Sequence, residues 1–419
     1  MIHKQSVVIG AGISGVTVAK NLAHDCVVLE AGGVAGGLST QYRSGGFLFD
    51  YGGHYFHFKD KEHVKYYLET FHPIKEYKRN SKAFLLNRYI PFPVQFHLSH
   101  FPKKIARAIL EEILNRSESK AENLFEHLQN SFGPTLFQLF FEPFMSKYYG
   151  YDLKLMAAHM DKGSIPVPDK ETVRQGFNGK RFGSAGYNPV FYYPPNGLRA
   201  FFEDYVNDLK DKIKFNQPAI QIDLEKQTVK TPGNEYSYEQ LISTMPLKNL
   251  LSIVKQARDF PSPDLLKHTS TLICNVVLKK KRRRFHWLYL PERTFAFYRA
   301  GFYPSREAPV CYLEKSLQPG ASYDCQQVNE EIVFTLRKLG LIESASDIVH
   351  SDIKVIPISY IIFDHHWRST VPMILSALRS RSVYSIGRFG SWTYSSMSDD
   401  VKSALETAAE INHPQKKES

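Results

Sequence analysis

The sequence predicts an α/β fold: a discontinuous Rossmann-like dinucleotide-binding domain, a helical insertion, and an antiparallel-sheet domain for substrate. Three observations carry that prediction. Residues 5–37 run as apolar stretch, glycine turn, helical pattern, second apolar stretch and acid. Residues 102–149 place apolar side chains at helical spacing. From Thr271 to Glu314 the chain reads as several antiparallel strands, and Ile353 to Phe363 adds another.

The opening stretch is the most specific. Ser6 to Ile9 ends on Gly10, Gly12 and Gly15, an amphipathic pattern follows to Leu22, and Cys26 to Leu29 stops on Glu30. Gly10 permits the turn, Gly12 lets backbone approach a pyrophosphate, and Gly15 lets the helix pack on the sheet. The helix N-terminus offers N–H groups to the phosphates, and Glu30 is placed to accept from an adenosine ribose. The further glycines Gly32, Gly33, Gly36 and Gly37, just past the acid, are characteristic of FAD enzymes of the amine-oxidase type and select FAD over NAD.

A chain of 419 residues holds two or three domains. Its net charge of +11 raises nucleic acid, an acidic membrane or a phosphorylated small molecule as partners. The one dense basic run, Lys279 to Arg284, lies between apolar runs and reads as a solvated hairpin tip, so nucleic acid is not expected. Four scattered cysteines lack metal spacing, and Cys26 and Cys274 read as core residues of a protein in a reducing compartment. His54 and His57 have no acid or cysteine cluster beside them, so no metal is expected. The first strand starts within a few residues of Met1, and no apolar stretch is long enough to span a bilayer. A cytoplasmic protein without membrane insertion is expected.

Taken in order, Phe47 and Phe49 mark a short strand broken by Gly52 and Gly53, with His54 and His57 in the loop after it. Ala83 to Ile90 is a hairpin turning at Asn87. Ile105, Ile109 and Ile113 place a helix after Pro102, and Asn123 to Gln129 and Pro134 to Tyr149 continue as helices. Residues 161–198 are rich in Gly and Pro and read as loops suited to a mobile lid. Leu198 to Leu209 is a helix, Ile213 to Thr231 holds strands, and Gln240 to Thr244 is a buried strand. Ser382 to Ile386 is a final strand and Asp399 to Ile411 a final helix. The expected division is therefore 1–75, 196–246 and 380–415 for FAD, 98–160 for the insertion, and 76–97, 161–195 and 247–379 for the substrate sheet.

These segments resemble the UDP-galactopyranose mutase family, nearer its eukaryotic-type branch. The resemblance runs nearly the whole length in order: G-A-G-I-S-G, G-G-L-S-T after Glu30, D-Y-G-G-H, P-F-P-V-Q at 91–95, L-I-S-T-M, W-L-Y-L-P-E at 287–292, F-Y-R-A at 297–300 and I-G-R-F-G-S-W-T-Y at 386–394. It implies an isomerase that interconverts UDP-galactopyranose and UDP-galactofuranose, or a related nucleotide sugar, for glycan assembly. Reduced FAD would act through N5 as nucleophile on the anomeric carbon, with no net redox. NAD(P)H or another reductant is implied as partner, and the oligomeric state is left open.

Position by position, the resemblance implies FAD contacts from Gly10, Gly12, Ser14, Gly15, Glu30, Gly36, Gly37, Leu38, Gly53, His54, Ala219, Arg388, Met397 and Ser398. His54 would lie against the flavin ring, and the N-terminus of the last helix would favour the reduced anion. Arg299 would grip the substrate diphosphate with Tyr394, Phe92 and Gln95 would hold uracil, and Asn188 would contact the sugar side. The chain departs from the family at four points. A second diphosphate arginine falls where this chain has Gly163 and Ser164, with Lys162, Arg174 and Arg181 as the nearest substitutes. An expected substrate-binding tyrosine is Trp367, which takes that place among the substrate contacts here, an expected tryptophan is Tyr149, and a neighbouring polar position is Met145. Two other functions compete: an FAD-dependent oxidoreductase of the amine-oxidase or protoporphyrinogen-oxidase type, and a basic binding protein resting on Lys279 to Arg284.

Overall fold

Two seven-stranded sheets organise the chain. The computed structural model describes residues 1–116, 120–158, 165–182, 188–280, 285–304 and 309–413. Lys162, Gly163, Ser164 and the basic residues 281–284 lie outside the described residues.

The first sheet draws its strands from the start, middle and end of the sequence. Ile2–Ile9 sits between Cys26–Leu29 and Glu235–Ser243, parallel to both, and Val383–Ser385 pairs in parallel with Glu235–Ser243. Gln221–Asp223 and Thr228–Lys230 extend one edge, and Ile213–Lys214 the other. Parallel strands covered on both faces need apolar side chains in both directions, and the alternation supplies them. Val8, Val28 and Ile242 pack with Val16 of the helix Ile13–Asn21 and with Val401 and Ala404 of the closing helix Met397–Asn412. Val7, Ile9, Val27 and Leu241 face the opposite way, onto Leu247 and Leu250 of the helix Leu247–Ile253 and Val371 and Ile374 of the helix Trp367–Arg379. Those last two helices gave no sequence signal, because one is short and the other carries Pro372.

The second sheet runs in the order Ile348–Ile361, His268–Leu278, Val310–Leu317, Arg299–Phe302, Trp287–Tyr289, Ser81–Leu85, Arg88–Pro91. It is antiparallel except where Trp287–Tyr289 runs parallel to Ser81–Leu85. Leu272, Cys274, Val276, Cys311 and Leu313 point to one face, which Val328, Ile332 and Leu336 of the helix Cys325–Lys338 cover. The other face carries Arg299, Tyr312 and Glu314 toward the first sheet. The hairpin turn stands at Leu86 and Asn87, both at positive φ.

The helical block follows the sequence pattern with one device added. Leu124–Leu136 kinks at Gly133, whose φ is +76° and whose added Cβ would stand 2.6 Å from Glu112 Cβ. Glu112 caps the turn beyond the kink by accepting from Thr135 N at 2.8 Å and Thr135 Oγ1 at 2.6 Å. A π turn over Phe137–Phe141 then leads into Glu142–Tyr149.

The loop reading of 161–198 needs correction. Lys170–Phe177 is a helix, capped by Asp169, which accepts from Thr172 N at 2.8 Å, and anchored by buried Val173. Gly176 acts as a close-packing residue, since a Cβ there would meet Phe96 O at 2.3 Å. Val190–Tyr193 is a strand paired with Lys75–Lys78.

Candidate active site

Three glycine turns converge at the C-terminal edge of the first sheet. Gly10 has φ +96°, and a Cβ there would strike Thr244 Oγ1 at 2.4 Å. Gly15 lies so close under the first turn that a Cβ would sit 2.0 Å from Gly10 O. Gly36 N donates to Ala11 O at 2.8 Å, which lays the second glycine turn alongside the first. The third turn begins at Gly387, beside Ser14.

Gly12 differs from all of these, because nothing lies within 4 Å of where its Cβ would be. That open space stands over the start of the helix Ile13–Asn21, whose N-cap, Gly12 itself, makes no side-chain cap bond. A diphosphate fits here: backbone is exposed, donors are uncapped and no side chain intrudes. Ser14 is buried in the first turn, Gly37 faces Gly12, and Leu38 follows it.

Glu30 joins the first two turns. Its Oε2 accepts from Ala11 N and its Oε1 from Gly32 N, each at 2.7 Å. Each oxygen keeps a second lone pair for a ribose hydroxyl. Ala219 lies two residues beyond Gln217, whose N–H donates to Glu30 O.

The second sheet supplies the other wall. Its register sets Arg299 directly opposite Glu314, and the two side chains form a buried ion pair through Arg299 Nε. Arg299 Nη2 donates to Tyr360 Oη at 3.2 Å. Tyr148 packs on Tyr360 with ring centroids 4.2 Å apart and edge-on to Tyr298 at 5.3 Å. Arg388 stands on the other side, its guanidinium 4.5 Å from the Tyr394 ring and 5.6 Å from that of Tyr360. It is held by Ser395 O at 2.8 Å.

His54 lies where the two walls meet. Burial pulls its imidazole down to about 4, and the nearby Arg388 and Arg299 charges pull the same way. It is therefore neutral at neutral pH, with Nδ1 buried and without a hydrogen-bond partner among the described residues. His57 is also pulled to about 4, by burial first and then by Arg79. Gly52 and Gly53 let the preceding loop pass close to the pocket, since a Cβ on Gly53 would stand 3.0 Å from Tyr312 Oη.

The closing helix begins at Met397, beside this loop: Ser398 Oγ accepts from His57 N at 3.2 Å. Its positive end is partly answered by the protein's own acids. Ser396 and Asp399 form a capping box, Lys61 Nζ lies 3.1 Å from Asp399, and burial raises the Asp400 carboxyl to about 6.

The remaining expected residues divide. Phe92 packs on Tyr289 at 4.2 Å. Gln95 is buried, gives its Nε2 to Pro166 O at 2.7 Å, and leaves Oε1 without a protein partner among the described residues. Asn188 precedes Pro189, whose carbonyl accepts from Arg79 N. Trp367 is committed elsewhere, with its indole N–H donating to Trp392 O at 2.7 Å and its ring edge-on to Phe363. Arg174 lies 4.0 Å from Glu171 on an exposed helix face, and Arg181 stands beside His100.

Sequence reasoning missed Glu314, Tyr360, Tyr148 and Tyr298. The one available signal was Glu314, a charge closing the apolar run V-C-Y-L, which a buried strand tolerates only with a partner.

A family model described as flavin containing amine oxidoreductase matches residues 13–306. Among solved structures, reduced UDP-galactopyranose mutase superposes with a TM-score of 0.88 at 24% identity, over 98% of this chain and 94% of that one. A putative protoporphyrinogen oxidase from Exiguobacterium sp. 255-15 gives 0.74 at 16%, over 98% and 99%. Putrescine oxidase bound to putrescine gives 0.62 at 14%, over 98% and 99%. At these identities the likeness is one of fold.

Proposed function

The chain belongs to the flavin containing amine oxidoreductase family, and on that premise we propose that it is a flavin-dependent nucleotide-sugar mutase. Its substrates are UDP-galactopyranose and UDP-galactofuranose or a close relative. The observation that carries this reading is the pairing of buried Arg299 with Glu314 and Tyr360, beside Tyr394 and Arg388 and next to a neutral histidine. An amine substrate needs no such cluster, whereas a diphosphate does.

In this reading the three glycine turns and Glu30 hold FAD. Reduced flavin, when bound, supplies the electron pair that displaces UDP from the anomeric carbon. Arg299 keeps donors beyond those engaged by Glu314 and Tyr360 and turns them to the diphosphate, which stabilises the departing UDP as its charge develops. Tyr394 donates to the same group. Gln95 Oε1 accepts from the base, with Phe92 against the ring. Tyr148, with Phe144 edge-on to Tyr298 and Phe140 tilted against Phe92, excludes water from the reacting centre. His54, kept neutral, would lie against the cofactor without adding to the Arg299 and Arg388 charges. A reductant such as NAD(P)H maintains the active state.

The test is anaerobic incubation of the purified holoenzyme, oxidised or dithionite-reduced, with each ring form and chromatographic separation of the two. Interconversion by the reduced enzyme alone is expected, and its absence in both states with FAD bound would overturn the reading. One observation favours a redox flavoenzyme instead: neither Arg174 nor Arg181 joins Arg299. Substrate-dependent bleaching of the oxidised flavin would establish that alternative.

A further inference from the structure

Lys147 lies on the helix Glu142–Tyr149, and its ammonium is surrounded by backbone carbonyls. Four backbone carbonyls lie within hydrogen-bond distance of its Nζ: Leu290 O, then Glu292 O at 2.9 Å, Phe295 O at 3.1 Å and Phe297 O at 3.2 Å. No carboxylate forms an ion pair with it among the described residues. The segment 290–297 wraps the ammonium with its carbonyls turned inward, as a loop wraps a bound cation.

The wrapped segment leads straight into the pocket. Phe297 is two residues from Arg299, and Leu290 N closes the loop by donating to Tyr298 O at 2.9 Å. Tyr298 N in turn donates to Glu314 O at 2.9 Å. On its own helix Lys147 precedes Tyr148, whose ring packs on Tyr360 and Tyr298. Secondary ties surround the cage: Arg293 bonds both oxygens of Glu142, and Glu292 Oε1 accepts from Leu86 N. Burial draws the Lys147 ammonium down to about 7, opposed by Glu292, so the caged side chain carries its full charge below neutral pH.

From this geometry we propose that Lys147 is a positioning residue, a tethered cation that organises the carbonyls of 290–297 and thereby sets the place of Arg299 against Glu314 and Tyr360. Four acceptors converge on three N–H donors, so at least one N–H is shared between two carbonyls and the cage holds the charge as a whole rather than through single bonds. Removing the ammonium leaves inward carbonyls that a small free cation can occupy. The pocket's diphosphate role rests on the function proposed above, whereas the cage does not.

The test uses holoenzyme of wild type, Lys147→Ala and Lys147→Met, in ammonium chloride and in sodium chloride at equal ionic strength. Amide hydrogen exchange over residues 288–302 and UDP affinity from flavin fluorescence are both read. Lys147→Ala should lose protection in that segment and weaken UDP about tenfold, the scale of one misplaced charge-assisted contact. Ammonium, and not sodium, should restore both to within about threefold of wild type. Lys147→Met, which fills the cage with an apolar chain, should show the loss without rescue. Equal protection in all three proteins, or a loss in Lys147→Ala that ammonium does not repair, would overturn the proposal. Should Lys147→Ala fail to fold, protection retained by Lys147→Met would overturn it, and protection lost there with flavin retained would support it. If wild type binds no UDP, the functional reading fails while the exchange data still judge Lys147.

Discussion

The proposed flavin cradle and the proposed Arg299 pocket are built by different means. The proposed cradle is made mostly of backbone: glycines 10, 12, 15, 36 and 387 and the start of one helix, with Glu30 joining the first two turns. The pocket is made of side chains, with Arg299, Glu314, Tyr360, Tyr148, Arg388 and Tyr394 arriving from separate strands and helices. Such glycines leave little room for added atoms: a Cβ would meet main chain at Gly15 and side chains at Gly10, Gly36 and Gly387, and only Gly12 stands open. Side-chain sites tolerate substitution of the fold's periphery but collapse when a buried charge loses its partner. The difference predicts which mutations abolish the cofactor and which abolish only recognition.

The largest effect should come from Gly15→Val. Its Cβ would stand 2.0 Å from Gly10 O, so the helix Ile13–Asn21 must leave the sheet, and the protein should carry no flavin and melt early. Gly12→Ala sharpens the point. Nothing within 4 Å opposes its Cβ, so the melting temperature should stay near wild type while flavin occupancy, read from the ratio of 450 nm to 280 nm absorbance (about 450 and 280 nm being where flavin and aromatic side chains absorb), falls sharply. If Gly12→Ala binds flavin normally, the open space is not a diphosphate site.

Arg299→Ala tests the other half. Glu314, 3% exposed, would be left buried without its counter-charge, at a cost of about 3–5 kcal/mol. Adding Glu314→Gln should return part of that loss, as the two residues act as one unit. Flavin occupancy should survive in both, and urea unfolding with absorbance at the flavin band reads the two quantities separately. Loss of flavin equal to that of Gly15→Val would erase the distinction between the regions.

The same contrast explains how far the sequence could be read. Most of the cradle, from Gly10 to Gly37, lies in one stretch with its own glycine spacing, so Gly10, Gly15 and Glu30 were legible from that spacing alone, whereas Gly387 lies far along the chain. Arg299 was legible only through a resemblance, and its partners Glu314 and Tyr360 lie 15 and 61 positions away, joined by strand register rather than by local pattern. The helix Lys170–Phe177 was lost for a related reason. Gly176 suggests a break until Phe96 O, far away in sequence, shows why no larger residue fits. Trp367–Arg379 was hidden by Pro372, which stands inside the helix and reads in sequence as a break.

The histidines at the seam give a third, smaller test. His54 and His57 have folded values of about 4 against 6.5 when unfolded, so the unfolded chain binds more protons between those limits. Stability should therefore be full above about pH 6.5 and fall as pH drops toward 4, by about 2 kcal/mol per histidine at pH 5. Replacing both with glutamine should flatten the urea midpoint across that window. A midpoint that falls as steeply without them would place the acid sensitivity in the carboxylates instead.

The smallest expected effect concerns the residue that seemed from its position to belong to the pocket. Trp367→Phe removes one N–H donor from Trp392 O, a loss of about 1 kcal/mol. Trp392 is fully buried in the core beneath the first sheet and has φ +47°, so the missing bond should appear as a modest drop in melting temperature. UDP affinity should stay within about twofold of wild type, because the indole is spent on the backbone before Tyr394 and not on the diphosphate. A tenfold weakening without loss of stability would move Trp367 back into the pocket, and would mean that recognition reaches from the second sheet through to the segment that carries Tyr394.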